Sequence, residues 1–189
     1  MSEPASPAAA TTADAAEPLR LHLGGWETKP GWKILNIENR PGVDYLGDCA
    51  DLSRFADASV AEVYASHVYE HLPYGDDVLL KAFKEVHRVL VPGGRFMFSV
   101  PDLETLCRVF VDPQLQAEHR FHVMRMMFGG QVDEHDFHKV GLTQEFALQY
   151  LAAAGFREAR RVETFGLFDD TSNLRFLGVL ISLNLEAVK

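Results

Sequence analysis

The sequence is poor in cysteine, in basic residues and in long apolar runs, and each shortage removes a class of protein. Cys49 and Cys107 are the only cysteines, so neither a disulfide framework nor a cysteine-rich zinc site can be built. A reducing, cytoplasmic setting is the simplest expectation. Lys and Arg number 18 against 27 Asp and Glu, a formal net charge of −9, which argues against nonspecific nucleic-acid binding or an anionic membrane surface as partner. No stretch approaches the roughly 18 consecutive apolar residues of a membrane span, and no repeat of about 20–50 residues suggests a solenoid. What remains is a chain of 189 residues, 47% hydrophobic, enough for one domain with a sizeable core. Residues 1–18, rich in Ala, Pro, Ser and Thr, are expected to be a disordered leader, and residues 19–189 a single domain.

Short β-type runs alternate with a helical pattern in the first half. Arg20 to Leu23 ends in Gly24-Gly25, Lys33 to Glu38 ends in an acid, Val43 to Asp48 is shorter, Glu62 to Ser66 follows, and Arg95 to Val100 is the fifth. Between the last two, Leu79, Phe83, Val86 and Leu90 recur at helical spacing, which predicts an amphipathic helix over 78–90, stopped by Pro92-Gly93-Gly94. Further helices are predicted over 103–110, over about 114–127 with Phe121, Met124 and Phe128 as an apolar stripe, and from a Thr143 cap to Ala154 before Gly155. Two strands, 158–164 and 175–185, complete the chain. This order is that of an α/β protein with a mostly parallel sheet of about seven strands and helices on both faces.

The words Ser66-His67-Val68-Tyr69-Glu70-His71-Leu72 and Arg88-Val89-Leu90-Val91-Pro92-Gly93-Gly94 carry more information than the pattern alone. They resemble the central portion of class I S-adenosylmethionine-dependent methyltransferases. The loop Gly24-Gly25-Trp26, the run Gly31-Trp32 to Asn36-Ile37-Glu38 and Ser99-Val100-Pro101-Asp102-Leu103 resemble a subgroup of small methyltransferases associated with cell-surface saccharide biosynthesis. The resemblance implies a Rossmann-like fold closed by an antiparallel C-terminal hairpin, S-adenosylmethionine as cofactor, and a small-molecule acceptor, with O-methylation of a saccharide or related metabolite as the expected reaction. A substrate-side insertion is expected around 112–141.

The cofactor has no phosphate; it needs close backbone approach, an acid for its ribose hydroxyls and a polar partner for adenine. Gly24 and Gly25 suit the first need, Trp26 is a candidate wall, and Glu38 can accept from both ribose hydroxyls. The resemblance implies that Asp48 meets the adenine amino group, with the Cys49 backbone N–H beside it, and that His67 flanks the methionyl end. His71 is the first candidate for the base that activates a hydroxyl acceptor, and Asp102 the second. His67, Glu70 and His71 echo a Glu-x-x-Glu-His divalent-ion pattern of some quinone-biosynthesis O-methyltransferases. With His67 in place of the first acid, and with His135 and His138 read as part of a solvated lid loop that touches the acceptor, no metal is assigned.

One departure from the family pattern stands out. Only Trp26 to Lys33, eight residues, separate Gly25 from Ile34 of the second strand, whereas a helical crossover takes about a dozen or more. The first helix is therefore expected to be missing or shortened, and with it the N-terminal amides that would hold a pyrophosphate are lost, which disfavours a nucleotide-dependent oxidoreductase or epimerase. A noncatalytic methyltransferase-like binding protein is the other alternative. The sequence leaves the oligomeric state open.

Overall fold

A computed structural model describes residues 19–189; the expected leader, 1–18, lies outside the described residues. The strands are β1 (Leu19–Leu23), β2 (Lys33–Asn36), β3 (Tyr45–Leu46), β4 (Val60–Ser66), β5 (Leu90–Pro101), β6 (Glu158–Val162), β7 (Arg175–Phe176), β8 (Val179–Leu180) and β9 (Ser182–Val188). The helices are α1 (Val78–Val89), α2 (Leu103–Phe110), α3 (Ala117–Phe128) and α4 (Gln144–Ala154). Seven strands form one sheet in the order β3-β2-β1-β4-β5-β9-β6. All neighbours are parallel except β9, which runs antiparallel to both β5 and β6. The Rossmann-like architecture and the antiparallel C-terminal pair are as expected.

The final strand predicted over 175–185 is instead three pieces. Leu177 and Gly178 both have positive φ between the paired Phe176 and Val179, which gives a tight hairpin turn. The chain therefore folds back as β7–β8 before β9 begins. The predicted stripe on α3 also differs: Phe121 and Phe128 are exposed, and the helix instead buries Val123 against Leu106 and Ile181.

One face of the sheet carries the main core. Leu21, Leu23, Val63, Ala65, Phe96, Phe98, Leu183 and Leu185 pack against Leu79, Phe83 and Val86 of α1 and Ala147 and Leu151 of α4. Within this core Tyr69 stands edge-on to Phe83, ring centroids 5.0 Å apart. Tyr69 is fully buried, and this anchor fixes the single 3₁₀ turn Tyr69–His71 that follows β4.

The opposite face is closed differently. No helix occupies the connection from Gly24 to Trp32, as the residue count predicts. Trp32, Tyr64 and Met97 are covered instead by Phe165, Leu167 and Phe168 of the segment after β6. Next to this cluster the same face carries a row of alternating charges across five strands: Arg20, Glu62, Arg95, Glu186 and Arg160. A row of paired charges can face water, so this part of the sheet needs no helical cover.

His22 of β1 sits under this lid of aromatics, 4% exposed, its ring 4.1 Å from that of Phe168. Burial outweighs the attraction of Asp170 and Glu27 and lowers its pKa to about 4. The ring is neutral at pH 7. Among the described residues, no helix is long and apolar enough to cross a membrane.

Candidate functional site

The carboxyl ends of β1, β2, β3 and β4 open into one cavity of about 480 Å³. Ligands of open α/β sheets bind at this edge, because the strand-end loops diverge there. Seven of the residues singled out in the sequence line the cavity: Gly24, Trp26, Glu38, Asp48, Cys49, His67 and His71.

Each is placed by a local device. Gly24 takes φ +67°, and a Cβ there would come within 2.5 Å of Val68 Cγ2, so only glycine fits. Asn36, at the end of β2, donates from Nδ2 to the Gly25 carbonyl at 3.1 Å and accepts from the Glu38 N–H at 3.0 Å. This buried amide thereby sets the spacing between the glycine loop and the acid. The Glu38 carboxylate is exposed at the cavity and paired with Arg40, whose guanidinium lies 3.3 Å from the centre of the Trp26 ring. Asp48 spends Oδ1 on the Ala50 N–H at 2.8 Å, a turn that fixes the chain as it leaves β3. Cys49 is buried beside it, and burial pushes its thiol well above the usual range. It is a wall, not a nucleophile.

His67 follows β4 at φ +53°, a conformation rare for a residue with a Cβ and often found where a side chain must be aimed. Its Nε2 lies 2.9 Å from Ser182 Oγ and its Nδ1 3.2 Å from Glu70 Oε1. His71 Nδ1 donates to the Phe137 carbonyl at 3.2 Å, and its ring meets that of His138, centroids 4.9 Å apart. The segment carrying His138 is tied down by the Lys139 N–H, which donates to the Glu70 carbonyl at 2.7 Å. Val132, Asp133, His135, Asp136 and Lys139 of that segment line the cavity from the side opposite the strands.

Two expected site residues do not reach the cavity. Gly25 is buried, and a Cβ on it would strike the His22 ring at 2.4 Å, so it is glycine to make room for His22 and not to admit a ligand. Asp102 is 1% exposed and fully engaged elsewhere. It caps α2 through the Thr105 N–H, accepts from Thr105 Oγ1 at 2.8 Å and from Arg161 Nη2 at 2.7 Å. A carboxylate so occupied is a structural anchor and not a base. Asp102→Ala is accordingly expected to cost about 2–3 kcal/mol of stability in urea unfolding, the sum of a lost cap and a lost charged hydrogen bond, while ligand binding in the cavity stays within about twofold.

Asn36, Arg40, Lys139 and the pairing of His71 with His138 were not anticipated. Asn36 leaves a trace in the sequence, a polar residue closing the buried run Ile34-Leu35. The others depend on contacts between distant segments.

Comparison with known proteins agrees with this fold. Residues 29–98 match the family described as "Methyltransferase domain", a span that begins after Gly24-Gly25 and ends within β5. No curated protein matches the sequence. Among solved structures, an S-adenosylmethionine-dependent methyltransferase from Mesorhizobium loti aligns with a TM-score of 0.59 at 18% identity, covering 91% of both chains. A methyltransferase from Thermotoga maritima, described as a possible histamine N-methyltransferase, aligns at 0.55 and 15% identity, over 92% of this chain and 83% of that one. A possible exported protein from Bordetella parapertussis aligns at 0.54 and 12% identity; it is longer, and this chain spans 62% of it. The chain thus has the Rossmann-like class I methyltransferase fold, and the segment from the first loop to the fifth strand carries the sequence pattern of the methyltransferase domain.

Proposed function

We propose that the protein is an S-adenosylmethionine-dependent methyltransferase acting on a small hydroxylated acceptor. The observation that carries this reading is the single cavity that collects Gly24, Trp26, Glu38, Asp48, Cys49 and His67 at four consecutive strand ends. Glu38 offers the charged acceptor needed by two ribose hydroxyls, Asp48 and Cys49 are assigned to the adenine, and the Trp26–Arg40 pair lines the same cavity. The missing first helix removes a pyrophosphate cradle, which a cofactor without a phosphate does not need. Methyl transfer is an in-line displacement in which alignment supplies much of the rate. His71 faces the cavity from the side of the 131–139 segment and is assigned to the acceptor.

The acceptor is placed under that segment, residues 112–141 serving as the substrate-side insertion. Its Asp133, His135, Asp136 and Lys139 give a lining rich in hydrogen-bonding groups, which supports a hydroxyl-bearing metabolite such as a saccharide over an apolar acceptor. The test is release of S-adenosylhomocysteine from S-adenosylmethionine with a panel of free sugars, nucleotide sugars and phenols. Turnover confined to sugars supports the saccharide reading; turnover confined to phenols overturns it while keeping the cofactor assignment.

A further inference from the structure

We infer that Glu70, His71 and His138 form a binding site for one divalent first-row transition ion, of the zinc type, at the acceptor edge of the cavity. One ligand atom from each of the three lies within 4.8 Å of the others. Glu70 is 1% exposed, yet neither of its oxygens has an aligned hydrogen-bond donor. The nearest group, His67 Nδ1, stands at 3.2 Å from Oε1 only. A buried carboxylate in that state is costly, by several kcal/mol when uncompensated, and its need is a cation.

The imidazoles around it point to a metal. The Phe137 carbonyl can only accept, so the hydrogen on His71 is on Nδ1 and the Nε2 lone pair is free. A ring N–H anchored on a backbone carbonyl is the usual support of a metal-bound histidine. His138 Nδ1 is likewise buried without a partner. Two imidazole nitrogens and one carboxylate are the donor set that suits zinc and its first-row neighbours and leaves coordination positions open.

Geometry sets what must move. Ligand atoms at about 2.0–2.1 Å from one zinc ion lie roughly 3.3–3.5 Å apart, so the trio closes by at most about 1.4 Å on binding. His138 is on the segment between α3 and α4, which the Lys139 N–H already holds to the Glu70 carbonyl, so its side chain supplies the closure. The ion would pin that segment to the Tyr69–His71 turn it already touches, and His71 would then act on the acceptor through the ion, not as a free base. The sequence alone places His138 in a solvated loop and assigns no metal; the fold brings this residue beside Glu70, 68 positions earlier in the chain.

The proposal does not depend on the cofactor. Chelator-treated protein titrated with Zn²⁺ against a chromophoric chelator is expected to take up one ion per chain and to gain thermal stability. His138→Ala and Glu70→Gln are each expected to weaken uptake by at least a hundredfold, while His135→Ala changes it less than twofold. Glu70 is buried, so if Glu70→Gln does not fold, His138→Ala decides. Absence of stoichiometric uptake by the wild type, or uptake that survives His138→Ala, overturns the site. S-adenosylhomocysteine binding measured on the same metal-free protein separates this failure from failure of the cofactor reading.

Discussion

Replacing Glu38 with alanine is expected to weaken S-adenosylhomocysteine binding by ten- to a hundredfold, about 1.4–2.8 kcal/mol. The magnitude follows from two hydrogen bonds between neutral hydroxyls and one carboxylate, each worth roughly 1.5 kcal/mol or more, reduced because Glu38 is exposed and hydrated when free. Folding should be unaffected, since Glu38 makes no contact with the core and its backbone N–H bond to Asn36 survives the change. Arg40→Ala supplies the opposite arm. Arg40 pairs with the same carboxylate and stacks on Trp26, so its removal frees Glu38 and is expected to leave affinity unchanged or raised. If both variants lose affinity equally, the guanidinium is a ligand contact, and the assignment of Glu38 alone to the ribose is wrong.

Acid is expected to destabilise the protein through His22 before most carboxylates titrate. The folded-state pKa is about 4, against 6.5 for the free side chain, so the unfolded chain takes up a proton that the native chain refuses. Stability is complete above about pH 6.5 and falls as pH drops toward 4, by about 1.4 kcal/mol per unit and roughly 3 kcal/mol in all. Urea unfolding from pH 7 to 4.5 checks this in the wild type and in His22→Gln, which keeps a polar side chain but cannot titrate. Whatever its stability at pH 7, the variant should show a much flatter decline. Equal slopes would mean that the cluster of Tyr64, Phe168 and His22 opens to water on protonation.

Legibility in the sequence divides by the range of the interactions involved. The strands of the first half are readable because each run is followed by a residue that disfavours its continuation, such as Gly24, Glu38 or Asp48. The absence of a first helix was readable by counting eight residues. Four consecutive strands also suffice to gather most of the cavity, since in a doubly wound sheet position along the chain dictates which ends lie together.

What failed depended on direction or distance. Position at a strand end does not say which way a residue faces: Gly25 turns to His22, three residues earlier in sequence, and not to the cavity. Asp102 also follows a strand, but Arg161, 59 residues later, draws its carboxylate inward, and no local pattern shows that. The α3 stripe was misread because helical spacing fixes a face without naming its partner; Val123, between the predicted positions, met Leu106 and Ile181 instead. Ion-pair ladders and the Glu70–His138 contact are of the same kind. They arise from register between strands and from a returning segment, and become visible only in the folded chain.

The central claim is that the cavity at the ends of β1 to β4 is a site for S-adenosylmethionine, and calorimetric titration of the folded protein with this ligand tests it most directly. The account predicts one site per chain with micromolar affinity, about −8 kcal/mol. Absence of binding by a protein whose unfolding transition shows it to be native would contradict it, and would leave a methyltransferase fold that serves another purpose.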